Sequence, residues 1–359
     1  MHRPVILLFG GTSSERRVSV ASAQYVAQCA NAAGIPIRPW FWAPDDAVYT
    51  PPLAQLLAHA DPFQNDFCPA GEAFAESVRA ALDQPQAQEA VVFVALHGVS
   101  GEDGTLQGWL EARQLDFTAS GALASHRAFD KSLAKRIVAE HGVAVAAEAT
   151  ISGADLEAAR ATLKQMHRHH ARVVLKPVAE GSSTGLQMLA TPADIATALS
   201  ALAANPKNVF LVEPWLQGAE LTVGVRDTPG GPRALPCSEV RLAPGRRFDF
   251  AGKYLGQGSL ELTPAEVSPT VSQAAQQLAI TAHQALGCYG YSRTDIIVTS
   301  DGPVFLELNT LPGLTRASFI PQQLEAARIP FTDFIAEQLA LAERRDAHDD
   351  LTAPVSPSA

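Results

Sequence analysis

Two runs near the C-terminus, YSRTDIIV (residues 291–298) and FLELNTLPGLT (305–315), leave the chain little choice of local structure. In both, apolar and β-branched residues alternate with polar ones, and Ser300-Asp301-Gly302-Pro303 supplies a turn between them. The pattern predicts two strands joined as a hairpin. Side chains two apart on a strand share a face, so Arg293 and Asp295 point one way, and so do Glu307 and Asn309. Two carboxylates, an amide and a guanidinium then converge on one patch. Hard oxygen donors of this kind suit Mg²⁺, which keeps substrate phosphates and water in its remaining positions. The same residues also fit a half-exposed hairpin with a merely polar face, and these runs alone leave both readings open.

At 359 residues the chain has room for two or three domains, each able to bury a core. No apolar run reaches the ~18 residues of a membrane span. The start, MHRPVILLFGGTSSE, mimics a signal peptide in its basic residues and short apolar run. That run covers only residues 5–9, below the roughly 7–15 residues of a signal h-region, and reads as a first β-strand. A formal net charge of −10 with no block of Lys or Arg argues against a nucleic-acid partner. Cys29, Cys68, Cys237 and Cys288 are scattered without CxxC spacing. This argues against zinc and a disulfide framework, and for a reduced, cytoplasmic setting.

VILLFGG is followed by Thr12-Ser13-Ser14-Glu15, an alanine-rich helical stretch to about Ala33, and a second strand, IPIRPWFW. This βαβ start implies a parallel sheet that binds its ligand at the strand C-termini. Glu15 reads either as a first-turn acid or as a ligand contact. Residues 43–88 are proline-rich and read as an irregular insertion with two short helical patches. In EAVVFVALHGVSGEDGTLQGWLEARQL (89–115), a buried strand ends at His97 and a glycine-rich loop leads into a helix. His97 is either structural or turned toward a ligand. SHRAFDKSLAKRIVAEHGV reads as one amphipathic helix with Phe129, Leu133 and Ile137 as its apolar stripe and Lys131 off that stripe.

VVLKPVAEGSSTGLQML (173–189) places Lys176 on a strand before a loop holding Glu180, Ser182 and Ser183. Backbone N–H groups and hydroxyls in such a loop can wrap phosphate oxygens, and the lysine adds a point charge. The alternative is an ordinary glycine hairpin. VFLVEPWLQGAELTVGV (209–225) reads strand, turn, strand, with Glu213 and Glu220 flanking Gly218. Its backbone could read an adenine edge, and Glu220 could hold ribose hydroxyls. Residues 246–268 form a long loop centred on Lys253 and Tyr254, of the length often used as a lid. A helix follows, capped by Ser268 and stopped by Gly287.

Taken together, GGTSSE, ALHGVSGEDGTLQG, Asp130-Lys131, LKPVAEGSSTG, EPWLQGAELTV, AGKYL, SRTDIIV and FLELNTLPGLT resemble the D-alanine–D-alanine ligase family of the ATP-grasp superfamily, in the family's order. The resemblance implies an α/β chain. A Rossmann-like parallel-sheet domain (1–120) would bind substrate. Two α+β domains (121–213 and 214–345) would sandwich ATP, ahead of a disordered tail (346–359). It implies ATP-dependent joining of two D-alanines through an acyl phosphate, for peptidoglycan precursors, with ATP and two Mg²⁺ (or Mn²⁺). Small amino-acid substrates and a homodimer are expected, with neither nucleic acid nor membrane as a partner.

By resemblance, Lys131, Lys176 and the Glu180-to-Ser183 loop match the phosphate-binding groups. Glu213, Trp215 and Leu216 match the adenine hinge, and Glu220 the ribose acceptor. Asp295, Glu307 and Asn309 match the metal ligands. Arg293 and the Gly313 N–H match the oxyanion donors, and Lys253 the lid lysine on the γ-phosphate. Glu15 and His97 match the first D-alanine subsite, Ser318 the second, and Arg293 and Phe319 are counted among the substrate-binding residues. Glu15, Ser182 and Tyr254 match a hydrogen-bonded set that closes the lid. The sequence departs from the family at Pro214, where a hinge lysine is common, and at Leu311, where a small polar residue is. A different second substrate (D-lactate, D-serine or another amino acid) and an inactive ATP-binding homologue are the competing readings.

Overall fold

A computed structural model describes residues 3–178, 185–242 and 259–344. They form three sheets. In the first, Val5–Gly10 lies parallel to Ile37–Trp42 on one side and Val91–Val94 on the other, and the short strand Val48–Tyr49 pairs antiparallel at the edge. All six residues of Val5–Gly10 are buried, as expected of a central parallel strand covered on both faces. The helix Arg16–Ala32 makes the crossover and buries Val18, Val20, Val26 and Ala27. Residues 43–88 are more ordered than two helical patches. They contain the strand Val48–Tyr49 and three helices, Leu53–Ala58, Val78–Leu82 and Pro85–Gln88. Leu56, Phe67, Val78 and Leu82 join the sheet's core. Elements this short show no readable period, so only their composition was visible.

The second sheet is antiparallel, in the order Ala149–Ser152, Val209–Pro214, Val173–Pro177, Gln187–Leu189. The helices Leu156–His169 and Pro192–Ala204 share its core. The third sheet has the order Ser259–Leu262, Ser238–Leu242, Ala219–Thr228, Tyr291–Thr299, Gly302–Asn309, with Gly231–Ala234 paired to Ala219–Thr228. The helix Pro269–Leu286 packs on it, with Ser268 accepting the Val271 N–H (3.3 Å) and Gly287 at φ 74°, as its cap and stop residues predict.

The segment expected as one amphipathic helix is two, Ala122–Phe129 and Lys131–Glu140. They break at Asp130, which leaves the first helix extended (φ −81°, ψ 102°) and caps the second by accepting the Leu133 N–H at 2.9 Å. The buried face of the second helix is Lys131, Ala134, Lys135 and Val138, not the Phe129-Leu133-Ile137 stripe, whose members are half-buried. The helices Phe319–Ala326 and Phe331–Ala342 return to the first sheet, where Ile320, Leu324, Phe334 and Ile335 complete its core. The end of the hairpin is thereby docked on the first unit. Among the described residues no helix is long and apolar enough to cross a membrane.

Candidate active site

The hairpin forms with the expected facing. Arg293 lies opposite Asn309 and Asp295 opposite Glu307. The register then shifts between Asp295 and Ile296, so Ile296 pairs with Phe305 and Leu306 is the extra residue of a bulge. Thr294, Ile296, Phe305 and Leu308 are buried, which turns the four polar residues to the other face. There Arg293 holds Asp295 at both oxygens (Nε–Oδ1 2.9 Å, Nη2–Oδ2 2.8 Å), and Thr222 Oγ1 donates to Asp295 Oδ1 at 2.6 Å. Lys131 Nζ lies 3.3 Å from Glu307 Oε2. Glu102, Lys131, Glu307 and Asn309 line one pocket. The buried Asn309 Nδ2 has no hydrogen-bond partner among the described residues. Amide O and N exchange by a half-turn, so the same position can present an acceptor to a cation. No group of three or more His, Cys, Asp or Glu side chains suited to a metal gathers among the described residues. Two carboxylates and one amide oxygen do gather here. That donor set fits Mg²⁺, which takes few protein ligands and fills the rest with phosphate oxygens and water.

A second charged cluster sits at the strand pair Val173–Pro177 and Val209–Pro214. Glu213, 4% exposed, takes Lys176 Nζ on Oε1 at 2.6 Å and Lys135 Nζ on Oε2. Lys135, 1% exposed, also reaches Glu148 Oε2 at 3.5 Å, and Ser132 donates to Glu148 Oε1 at 2.6 Å. Burial works against charge on Glu213, but the two ammonium groups outweigh it and hold the carboxyl below the usual range. Lys131 and Lys135 stand one helical turn apart on the buried face of Lys131–Glu140, each beside a carboxylate. Trp215 is 41% exposed, and Leu216 and Glu220 are half-buried. All three follow Glu213 where the chain leaves the second sheet for the third. The turn is tight at Gly218, where a Cβ would come 2.1 Å from Val298 O.

The third group belongs to the first unit and the loop after the hairpin. Glu15 occupies the N-cap of Arg16–Ala32, yet its side chain makes no cap bond. It is buried instead, with Oε2 2.8 Å from where a Cβ on Gly98 would stand. Ser13 Oγ donates to the His97 carbonyl at 2.7 Å. Both His97 ring nitrogens are engaged, Nδ1 with Leu311 O (2.9 Å) and Nε2 with Ser22 Oγ (2.9 Å), so His97 is a wall of this region rather than a free base. Glu102 Oε1 stands 3.8 Å from His97 Nδ1. Burial, reinforced by the Glu15 carboxylate, pushes the Glu102 carboxyl up, against the pull of His97 and Arg293. Ser318 Oγ accepts the Thr315 N–H (3.1 Å) and meets Thr315 Oγ1 (2.8 Å). A Cβ on Gly313 would fall 2.7 Å from that Oγ, so a side chain there would collide with Ser318. The Arg293 guanidinium lies 5.9 Å from the Phe319 ring centroid.

Lys131, Glu307 and Asn309 thus line one pocket, Arg293 and Asp295 stand opposite Asn309 and Glu307 on the paired strand, and Lys176 and Glu213 are paired to each other on the second sheet. Glu180, Ser182, Ser183, Lys253 and Tyr254 lie outside the described residues. Lys135, Glu148, Glu102, Thr222 and Ser22 were not singled out from sequence. Lys135 alone had a signal, its spacing of four from Lys131.

A parallel-sheet unit followed by two antiparallel-sheet units, with lysines of one region meeting carboxylates of another, is the architecture of an ATP-grasp ligase. Residues 4–120 match the family profile described as D-ala D-ala ligase N-terminus, and residues 137–340 the one described as D-ala D-ala ligase C-terminus. The chain belongs to the D-alanine–D-alanine ligase family. The D-alanine–D-alanine ligase of Leptospira interrogans serogroup Icterohaemorrhagiae is 32% identical over 355 residues, 96% of this chain and 99% of the relative. That of Methylobacterium radiotolerans is 35% identical over 345 residues, 93% and 96% of the two chains. Among solved structures, the D-alanine–D-alanine ligase of Coxiella burnetii superposes with a TM-score of 0.79 at 24% identity, covering 97% of this chain and 95% of that one. The VanG D-Ala:D-Ser ligase of Enterococcus faecalis gives 0.78 at 25% identity, with 95% and 100% covered.

Proposed function

We propose that this protein joins two D-alanines to D-alanyl-D-alanine in the cytoplasm, at the expense of ATP, for peptidoglycan precursor synthesis. The observation that carries the reading is the place of Glu102. It lines the pocket of Lys131, Glu307 and Asn309 and stands beside His97. Glu102 is thereby a neighbour both of the group suited to phosphoryl transfer and of the group suited to the first amino acid.

A carboxylate is a poor acyl donor at neutral pH. One oxygen of the first D-alanine carboxylate attacks the γ-phosphorus of ATP, the bond to the β,γ-bridging oxygen breaks, and ADP leaves. The amine of the second D-alanine then attacks the acyl carbon. The C–O bond breaks, phosphate departs with the carboxylate oxygen, and the amine proton is lost to solvent. Lys131 and Lys176 place positive charge where the phosphates lie, and Lys253 adds to it from the lid. Asp295, Glu307 and Asn309 would hold two Mg²⁺ ions, which when bound neutralise phosphate charge. Arg293 and the Gly313 N–H face the oxygen that becomes negative during amine attack. Glu15 and His97 line the first subsite, and Ser318 and Phe319 the second. Glu180, Ser182 and Ser183 cover the phosphates, Glu213, Trp215 and Leu216 take the adenine, and Glu220 takes the ribose. By resemblance to the family, Tyr254, Ser182 and Glu15 are assigned to keeping water from the acyl phosphate. A homodimer is the assembly we expect, by family pattern.

Likeness to a D-Ala:D-Ser ligase keeps D-serine in view as second substrate. A panel of D- and L-amino acids, read by phosphate release and product mass, decides. Release with D-alanine alone and the mass of the dialanine support the proposal. No release with any D-amino acid contradicts it.

A further inference from the structure

Ser22 lies buried on the helix Arg16–Ala32 and has had no part in the reaction so far. Its Oγ accepts the Leu314 N–H at 3.2 Å and meets His97 Nε2 at 2.9 Å, while His97 Nδ1 meets Leu311 O at 2.9 Å. A carbonyl only accepts, so Nδ1 carries a proton, and in that tautomer Nε2 accepts. The direction of every bond follows. Leu314 N–H donates to Ser22 Oγ, Ser22 O–H to His97 Nε2, and His97 Nδ1–H to Leu311 O. Ser19, one turn earlier, accepts the Gly10 N–H and donates to Ala95 O, so its bonds stay within the first unit. Ser22 instead crosses directly to Leu314 in the loop after the hairpin, and through His97 to Leu311.

The two backbone groups held by Ser22 and His97 bracket Gly313. One is the carbonyl two residues before it, and the other is the N–H one residue after. Pro312 has no N–H, and among the described residues the buried Gly313 N–H donates to no protein acceptor. We infer that Ser22 is a positioning residue: with His97 it clamps the 311–314 turn so that the Gly313 N–H meets the acyl oxygen during amine attack. The inference rests on the proposed role of Gly313 as an oxyanion donor. The clamp acts on the second chemical step, because phosphoryl transfer puts no negative charge on the acyl oxygen.

Single-turnover rapid-quench measurements on the full chain, with ADP and dipeptide quantified separately, test this. In Ser22→Ala, dipeptide formation should fall about 10–100-fold, as for a misplaced donor. ADP formation in the first turnover and the KM for ATP should stay within about threefold. An ADP burst would then precede dipeptide. Ser22→Cys, close in size but a weaker donor and acceptor, should fall between the two, and serves if the alanine variant does not fold. Equal slowing of both steps, or slowing of neither, overturns the clamp while leaving the ligase reading intact. A wild-type protein that forms no ADP with D-alanine sinks the ligase reading, and the clamp with it.

Discussion

Arg293 grips Asp295 by both carboxylate oxygens, and Thr222 holds one of them as well. A cation that binds Asp295 must compete with that guanidinium. Arg293→Met removes the competitor and an oxyanion donor together. Turnover should drop by about 10²–10³, while the Mg²⁺ concentration giving half-maximal nucleotide binding should fall. A fluorescent ATP analogue titrated with Mg²⁺ reads the second effect without turnover. An unchanged Mg²⁺ dependence would remove Asp295 from the metal ligands.

Lys135 bears on Glu213 in a way that pH exposes. Glu213 has a depressed carboxyl pKa in the folded chain, burial notwithstanding, because Lys176 and Lys135 face it. The stability it contributes is present above its unfolded pKa and is lost as pH falls through the folded value. Lys135→Met should destabilise at neutral pH by less than the ~3–5 kcal/mol of stranding a buried charge, since Lys176 remains. It should also move the acid loss of stability to higher pH. Urea melts across the acid range check both, and parallel curves for the two proteins would refute the assignment.

Glu102 carries the opposite sign. Burial first, then the Glu15 carboxylate, raises its pKa in the folded chain. The folded form keeps a proton that the unfolded chain gives up, so this contribution is full below the unfolded value, ~4.3, and is lost as pH rises through the folded one. Glu102→Gln removes that loss. Its Tm advantage over the wild type should grow with pH from about 4 upward, as followed by thermal melts.

The hairpin was legible because alternation at period two exposes a strand's polar face directly, and Arg293, Asp295, Glu307 and Asn309 emerged together. The helix 131–140 was misread for the converse reason. Lys131 and Lys135 are charged yet buried, and a search for apolar residues takes a buried ionic face for a solvated one. Asp130 fits inside a helical pattern as well as at a cap, so the break there is decided by tertiary packing. Ser22 looked like one more small residue on an alanine-rich helix. Its worth depends on Leu314, 292 positions away, which no local pattern contains. Glu102 sat within a glycine-rich loop whose path alone decides which residue faces the pocket.

Transfer of the carboxylate oxygen is the most direct test of the central claim. D-alanine labelled with ¹⁸O in its carboxylate, turned over with unlabelled ATP, should deliver one ¹⁸O to inorganic phosphate for each dipeptide formed, as mass spectrometry of the phosphate would show. Unlabelled phosphate released alongside dipeptide would mean that the carboxylate never attacked the γ-phosphorus, and would contradict the account.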